Sequence, residues 1–223
     1  MSQFAAVFDL DGTLLDTIDD LAYAVNTALT EHGFPTHPRE AYFYFVGNGA
    51  RTLVQRALPE NVEDSVMESV YARYSELYEA HWNVFTKPYD GVLEMLSALR
   101  ADGIPLGVVS NKVHDRTLEV IDTYFPNTFD AVFGNRPGVP LKPDPAGVFD
   151  ALKALDCGPA HAFYLGDTGV DIETGKRAGI YSAGALWGFR TAEELTAAGA
   201  DILCASPCDA LAAARAFYAS IEA

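Results

Sequence analysis

Apolar residues open the chain in a run from Phe4 to Phe8, and the run ends in Asp9. A nearly continuous apolar segment is what a strand buried on both faces of a parallel sheet requires. From Asp16 the period changes. Ile18, Leu21, Ala22, Val25, Ala28 and Leu29 recur at helical spacing, and Gly33 is a natural stop. Leu53, Val54, Ala57 and Leu58 mark a short helix behind Gly47-Asn48-Gly49. Val66, Val70, Tyr74, Leu77 and Tyr78 mark a longer one. Nothing up to about Tyr89 reads as a further strand, so residues 15–88 are expected to be all-helical.

Beyond Tyr89 the periods alternate. Helices are expected at Val92–Leu99, Val113–Ile121, Pro145–Leu155, Ile172–Ala178 and Ala192–Ala198, with a last one from Cys208. Strands are expected between them at Ile104–Val109, Ala131–Phe133, Ala162–Leu165, Tyr181–Leu186 and Ile202–Leu203. Such alternation implies an α/β fold with a doubly wound parallel sheet. The helical block interrupts it after the first strand, which divides the chain into a core of residues 1–14 and 89–223 and an inserted domain of residues 15–88.

Composition narrows the function. The chain has 223 residues, enough to bury a sizeable core unaided. It carries 15 Lys+Arg against 31 Asp+Glu, a formal charge of −16. That balance argues against nucleic-acid or anionic-membrane partners, because phosphate backbones are held by Lys and Arg. A small anionic substrate is still compatible, since a local cation can invert the field of one cleft. No apolar run reaches the length of a membrane span, and the N-terminus lacks the basic and apolar regions of a secretion signal. Three cysteines, Cys157, Cys204 and Cys208, are too few for a disulfide framework and are expected to be buried thiols. A reducing cytoplasm fits this usage.

Ligands of doubly wound sheets bind beyond the carboxyl ends of the strands. Four polar groups fall there: Asp9-Leu10-Asp11-Gly12-Thr13, Ser110-Asn111-Lys112, Leu141-Lys142-Pro143-Asp144, and Gly166-Asp167-Thr168-Gly169-Val170-Asp171. Taken singly, each has a plain structural use: Asp-Gly turns, Ser-Asn caps a helix, a lysine is solvated. Four of them at consecutive strand ends exceed what turns require. An extended segment puts Asp9 and Asp11 on one face. Two carboxylates so close call for a hard cation, and an all-oxygen set with Asp167 suits Mg²⁺. Asp9 is then placed to attack phosphorus and form an aspartyl phosphate. Lys142 and Ser110 balance charge on the phosphoryl oxygens, and Asp11 serves as acid and base.

With these residues in order, the sequence resembles phosphatases of the haloacid dehalogenase superfamily. The Asp-x-Asp-Gly-Thr motif stands at Asp9–Thr13, the Ser/Thr motif at Ser110, the lysine at Lys142, and Gly-Asp-x-x-x-Asp at Gly166, Asp167 and Asp171. The resemblance covers the whole chain. It implies a haloacid dehalogenase-like core, a small helical cap and a magnesium-dependent phosphoaspartate mechanism. Asp9 is then nucleophile and metal ligand, and Asp11 is acid/base with its carbonyl on the metal. Asp167 is a ligand, with Asp171 behind it. Gly12, Thr13, Ser110, Asn111 and Lys142 surround the phosphate.

Asp16-Thr-x-x-Asp20-Leu-Ala-Tyr-Ala-Val, Val46-Gly-Asn-Gly-Ala-Arg51 and Val109-Ser-Asn-Lys112 further resemble bacterial phosphoglycolate phosphatases. That likeness implies that Asn48 and Arg51 reach over the site from the cap, Arg51 gripping the carboxylate of 2-phosphoglycolate. The partner expected is a small phosphorylated metabolite, and the chain is expected to be a monomer or homodimer. Alternatives are a β-phosphoglucomutase-like phosphotransferase and a pyrophosphatase. A haloacid dehalogenase would not need Asp11 and Asp167, and a receiver-like phospho-switch would be shorter and have no inserted helical block.

Overall fold

The computed structural model describes residues 4–222. Residues 1–3 and 223, the outer ends of the expected core, lie outside the described residues. In chain order the elements are β1 (Ala5–Phe8), β2 (Leu15–Asp16), α1 (Ile18–Glu31), α2 (Arg39–Phe45), α3 (Ala50–Ala57), α4 (Asp64–His81) and β3 (Lys87–Pro88). Then follow α5 (Val92–Ala101), β4 (Leu106–Val113), α6 (His114–Tyr124), β5 (Ala131–Asn135), α7 (Ala146–Ala154) and β6 (Ala162–Gly166). The chain closes with α8 (Gly169–Ala178), β7 (Tyr181–Ala185), α9 (Ala192–Ala197), β8 (Ile202–Cys204) and α10 (Pro207–Glu222).

The main sheet runs β5-β4-β1-β6-β7-β8, with every pairing parallel. Val7 of β1 sits between Gly107 and Tyr164. Being central explains why β1 is apolar at every position. Ala6 and Phe8 face one layer with Leu96 of α5 and Ala214 of α10. Ala5 and Val7 face the other with Val148, Ala151 and Leu152 of α7. Strand order reverses at β1, so its carboxyl end is the crevice where doubly wound sheets take ligands.

Helices α1–α4 lie between β2 and β3. The positions predicted on α1, Ile18, Leu21, Ala22, Val25, Ala28 and Leu29, are all buried. Ile18, Leu21, Val25 and Leu29 each contribute about 1.5–3 kcal/mol by leaving water. Buried Asp20 ties the block's entry to its exit, accepting from Thr86 N at 2.8 Å and Thr86 Oγ1 at 2.7 Å.

Four expectations need correction. The segment before Tyr89 does contain strands: Leu15–Asp16 pairs antiparallel with Lys87–Pro88. Two-residue strands are too short to show a period. Helix α2 went unforeseen because its apolar residues, Ala41, Tyr42, Phe43, Tyr44 and Phe45, run without a gap. Strand β4 continues through Ser110, Asn111 and Lys112, its register against β5 shifting between Val109 and Val113. Of the thiols only Cys204 is buried, Cys157 being intermediate and Cys208 exposed. Among the described residues, no helix is long and apolar enough to cross a membrane.

Candidate active site

The chain turns sharply at the end of β1. Gly12 adopts φ +93°, and a Cβ there would lie 2.3 Å from Asp167 Oδ2, so only glycine lets the turn approach this carboxylate. Thr13 Oγ1 donates to Asp167 Oδ1 at 3.0 Å and Phe189 N to Asp167 Oδ2 at 2.8 Å. Asp167 is fully buried at the end of β6. Asp171 opens α8 in a capping box, accepting at Oδ2 from Thr168 N at 3.0 Å and Thr168 Oγ1 at 2.6 Å. Asp9, Asp167 and Asp171 each offer a carboxylate oxygen, and the three lie within 4.8 Å of one another.

Lys142 enters this acidic nest from the loop between β5 and α7. Its Nζ donates to Asp9 Oδ1 at 2.6 Å, Asp171 Oδ1 at 2.7 Å and Tyr164 Oη at 3.3 Å. Burial alone would lower its pKa, but Asp171 and Asp9 hold it well above the ordinary lysine value. Asn111 locks the loop, donating from Nδ2 to Lys142 O at 3.1 Å and accepting at Oδ1 from Lys142 N at 2.8 Å. Burial, reinforced by the Asp171 carboxylate, pushes Asp9 up to about 7 despite Lys142. Burial also raises Asp167, with Asp171 and Asp9 adding to it. Three crowded carboxylates with one ammonium form an oxygen-only donor set that fits a hard divalent cation.

Asp11 is turned differently. Its Oδ1 and Oδ2 both accept from Lys112 Nζ at 2.9 Å, and Lys112 also donates to Tyr78 Oη at 3.0 Å. The Asp11 carboxylate is thus engaged by Lys112, while Asp171 is the one that joins Asp9 and Asp167. Ser110 Oγ accepts from Lys112 N at 3.1 Å.

A cavity of about 350 Å³ opens over Asp9, Asp11, Ser110 and Lys142. Its far wall comes from α3 and α4. The loop at Gly47–Gly49 rests on the sheet through Asn111 Nδ2, which donates to Gly47 O at 2.9 Å, and Arg190 Nη2, which donates to Val46 O at 3.2 Å. Asn48 and Arg51, expected over the site, are not among the cavity's lining residues. Asn48 Oδ1 accepts from Arg56. The Arg51 side chain is 56% exposed and ion-paired to Glu68. Its guanidinium lies over the ring of Tyr71, 5.9 Å from the centroid, and Tyr71 does line the cavity. The helix start that frees Arg51 from the core also lets Glu68 of α4 capture it.

Four residues at the site had no role assigned from sequence. Lys112 follows Ser110 by two in an extended segment, so period-2 alternation places both on one face. Tyr164 falls within an apolar run and Tyr74 and Tyr78 on the apolar stripe of a helix, where their rings look like core and nothing signals a hydroxyl directed at a site.

Comparison with known proteins agrees with this geometry. Residues 6–185 match the family of haloacid dehalogenase-like hydrolases. The chain is 35% identical over 184 residues to the phosphoglycolate phosphatase of Aquifex aeolicus, covering 82% of this chain and 84% of that one. It is 30% identical over 203 residues to the phosphoglycolate phosphatase of Psychrobacter arcticus, covering 87% and 88%. A solved structure from Lactobacillus delbrueckii superposes with a TM-score of 0.91 at 28% identity, over 96% of this chain and 99% of that one. A predicted phosphoglycolate phosphatase from Haemophilus somnus superposes with a TM-score of 0.88 at 26% identity, over the same shares.

Proposed function

This chain belongs to the haloacid dehalogenase-like hydrolases, and we propose that within them it is a magnesium-dependent phosphatase that works through an aspartyl phosphate on Asp9. One observation carries the reading. At the end of β1 the Asp9 carboxylate meets Lys142 at 2.6 Å and has Asp167 and Asp171 within 4.8 Å.

On this reading Asp9 attacks phosphorus and the bond from phosphorus to the leaving oxygen breaks. Asp11, once it leaves Lys112 and takes up a proton, gives that proton to the oxygen, then takes one from the water that displaces Asp9. Lys142 offsets charge on the phosphoryl oxygens and Ser110 donates to them. Asp9, Asp167 and the Asp11 carbonyl would hold Mg²⁺, which when bound neutralises the phosphate and draws it to the floor. Asp171, its oxygens taken by Lys142 and Thr168, aligns the lysine from behind. Gly12, Thr13 and Asn111 shape the phosphate pocket. Residues 15–88 act as a cap on the core of residues 1–14 and 89–223, excluding water while the aspartyl phosphate forms.

The substrate we assign is 2-phosphoglycolate. The relatives at 30–35% identity that bear this substrate's name support it, as does the Val46–Arg51 motif. In this reading Arg51 exchanges Glu68 for the substrate carboxylate, an anion its planar fork suits. The test is phosphate release from a panel of small esters. Magnesium-dependent turnover with 2-phosphoglycolate first is expected. No release from any ester would overturn the phosphatase reading, and preference for a sugar phosphate would overturn the substrate.

A further inference from the structure

The cavity is larger and less polar than 2-phosphoglycolate needs. At about 350 Å³ it falls in the range of pockets that take drug-sized ligands, whereas 2-phosphoglycolate has only nine non-hydrogen atoms. Above the catalytic floor the lining turns apolar, with Leu21, Val46 and Leu53 beside Tyr71, Tyr74 and Tyr78. The three tyrosines occur at spacings of three and four on α4, so they form one stripe. Their rings are stacked in series: Tyr71 to Tyr74 at 6.3 Å and 29°, Tyr74 to Tyr78 at 5.7 Å and 14°.

The polar ends of this wall are not alike. Tyr78 Oη is taken by Lys112. Tyr74 is only 3% exposed, yet among the described residues its hydroxyl has no hydrogen-bond partner. The ring is buried, but the hydroxyl oxygen keeps some exposure and the residue lines the cavity, so a ligand there can meet it. Charge points the same way. Each cation that lines the cavity is already held by carboxylates: Lys142 by Asp9 and Asp171, Lys112 by Asp11, Arg116 by Glu79 and Glu119. The upper cavity therefore offers aromatic surface and a free hydroxyl and, while Arg51 stays outside on Glu68, no unpaired cation for a second anionic group.

We propose that the tyrosine wall of α4 is a slot for a flat, uncharged leaving group. The site then takes, besides 2-phosphoglycolate, phosphate monoesters of aromatic alcohols, with Tyr74 as the residue that selects them and its hydroxyl free to meet an acceptor on the ring. This rests on the phosphatase reading but not on the choice of 2-phosphoglycolate.

Benzyl and ethyl phosphate test it, because both release a primary alkoxide and differ mainly in the ring. With saturating Mg²⁺, wild-type kcat/KM should favour benzyl phosphate about tenfold or more, the scale of a few aromatic contacts. Tyr74→Leu should lose at least about fivefold more on benzyl than on ethyl phosphate, and Tyr74→Phe should keep the wild-type ratio. No preference in the wild type, or equal losses on both esters in Tyr74→Leu, would overturn the proposal. The wild-type comparison decides alone if Tyr74→Leu does not fold. Calorimetric binding of benzylphosphonate against methylphosphonate needs no turnover. Tighter benzylphosphonate binding without hydrolysis of any ester would overturn the phosphatase reading and sustain the slot, and equal binding would overturn the slot.

Discussion

On the floor of the cavity Lys142 Nζ reaches Asp9 at 2.6 Å and Asp171 at 2.7 Å. On the wall that faces it, the Arg51 side chain is 56% exposed, held by an ion pair to a glutamate that is itself half in solvent. The floor is assembled from the ends of β1, β4 and β6, which the parallel sheet brings to one edge, and from the loop before α7. Its polar groups are buried and answered: Asp167 by Thr13 and Phe189, Asp171 by Thr168 and Lys142, Asn111 by Lys142. The wall stands on helices tied to the core by single side-chain contacts: Asn111 to Gly47 O, Arg190 to Val46 O, Lys112 to Tyr78 Oη and Arg116 to Glu79. A preorganised floor suits chemistry common to a family, since buried charges tolerate few arrangements. A wall tied by exposed pairs suits choice among leaving groups, because rearranging it costs little.

The sharpest way to break the comparison is on the floor. Asp9→Asn is nearly isosteric and should fold, yet turnover should fall by about 10⁴ or more, the scale of losing a nucleophile. Phosphate release from the purified variant checks this, with circular dichroism confirming the fold. Near-native turnover would remove Asp9 from the reaction.

Metal removal comes next. EDTA should abolish phosphate release and Mg²⁺ restore it. The crowded carboxylates add a signature in stability. Asp9 is raised from its ordinary value to about 7, and Asp167 is raised as well. Between the unfolded value near 3.8 and the folded value near 7, the native state holds more protons than the unfolded one. Stability in EDTA should therefore fall as pH rises through that window. A bound cation relieves the same repulsion, so Mg²⁺ should raise Tm more at about pH 7.5 than at about pH 5. A Tm shift independent of pH would mean that these carboxylates do not hold the metal.

The same contrast explains what could be read in advance. Asp9 and Asp167 were legible because each directly follows an apolar strand and a parallel sheet gathers those ends on one edge, whereas Ser110, inside β4, and Lys142, in the loop before α7, were legible only from the motif. The apolar face of α1 was legible for the same kind of reason, since one period decides one buried stripe. The wall was not. Tyr74 and Tyr78 occupy helical core positions whether they pack against Leu or against a cavity. The position of Arg51 depends on Glu68, seventeen residues away on another helix, and no local pattern encodes that pairing. Lys112 was within reach, two residues from Ser110 on an extended segment, but only the fold reveals that Asp11 lies opposite it.

The last pair of predictions tests whether the wall's loose end matters to selection. Arg51 is the one guanidinium of the Val46–Arg51 motif, and it stands behind Tyr71 with Glu68 as its partner. If it turns inward to hold a carboxylate, Arg51→Ala should cut kcat/KM for 2-phosphoglycolate by about tenfold, the scale of one hydrogen bond to a charged group. The loss on p-nitrophenyl phosphate, which has no carboxylate, should be much smaller. Glu68→Gln should act in the opposite direction. It removes the charge that keeps Arg51 outside, so kcat/KM for 2-phosphoglycolate should rise by about two- to threefold, the modest scale of an exposed ion pair. The double variant should then match Arg51→Ala, since the glutamate acts only through the arginine. Equal losses on both substrates in Arg51→Ala would assign the arginine to the fold of α3 and α4. A gain in Glu68→Gln that persists without Arg51 would show that Glu68 repels the substrate directly, through the acidic field of the cavity mouth.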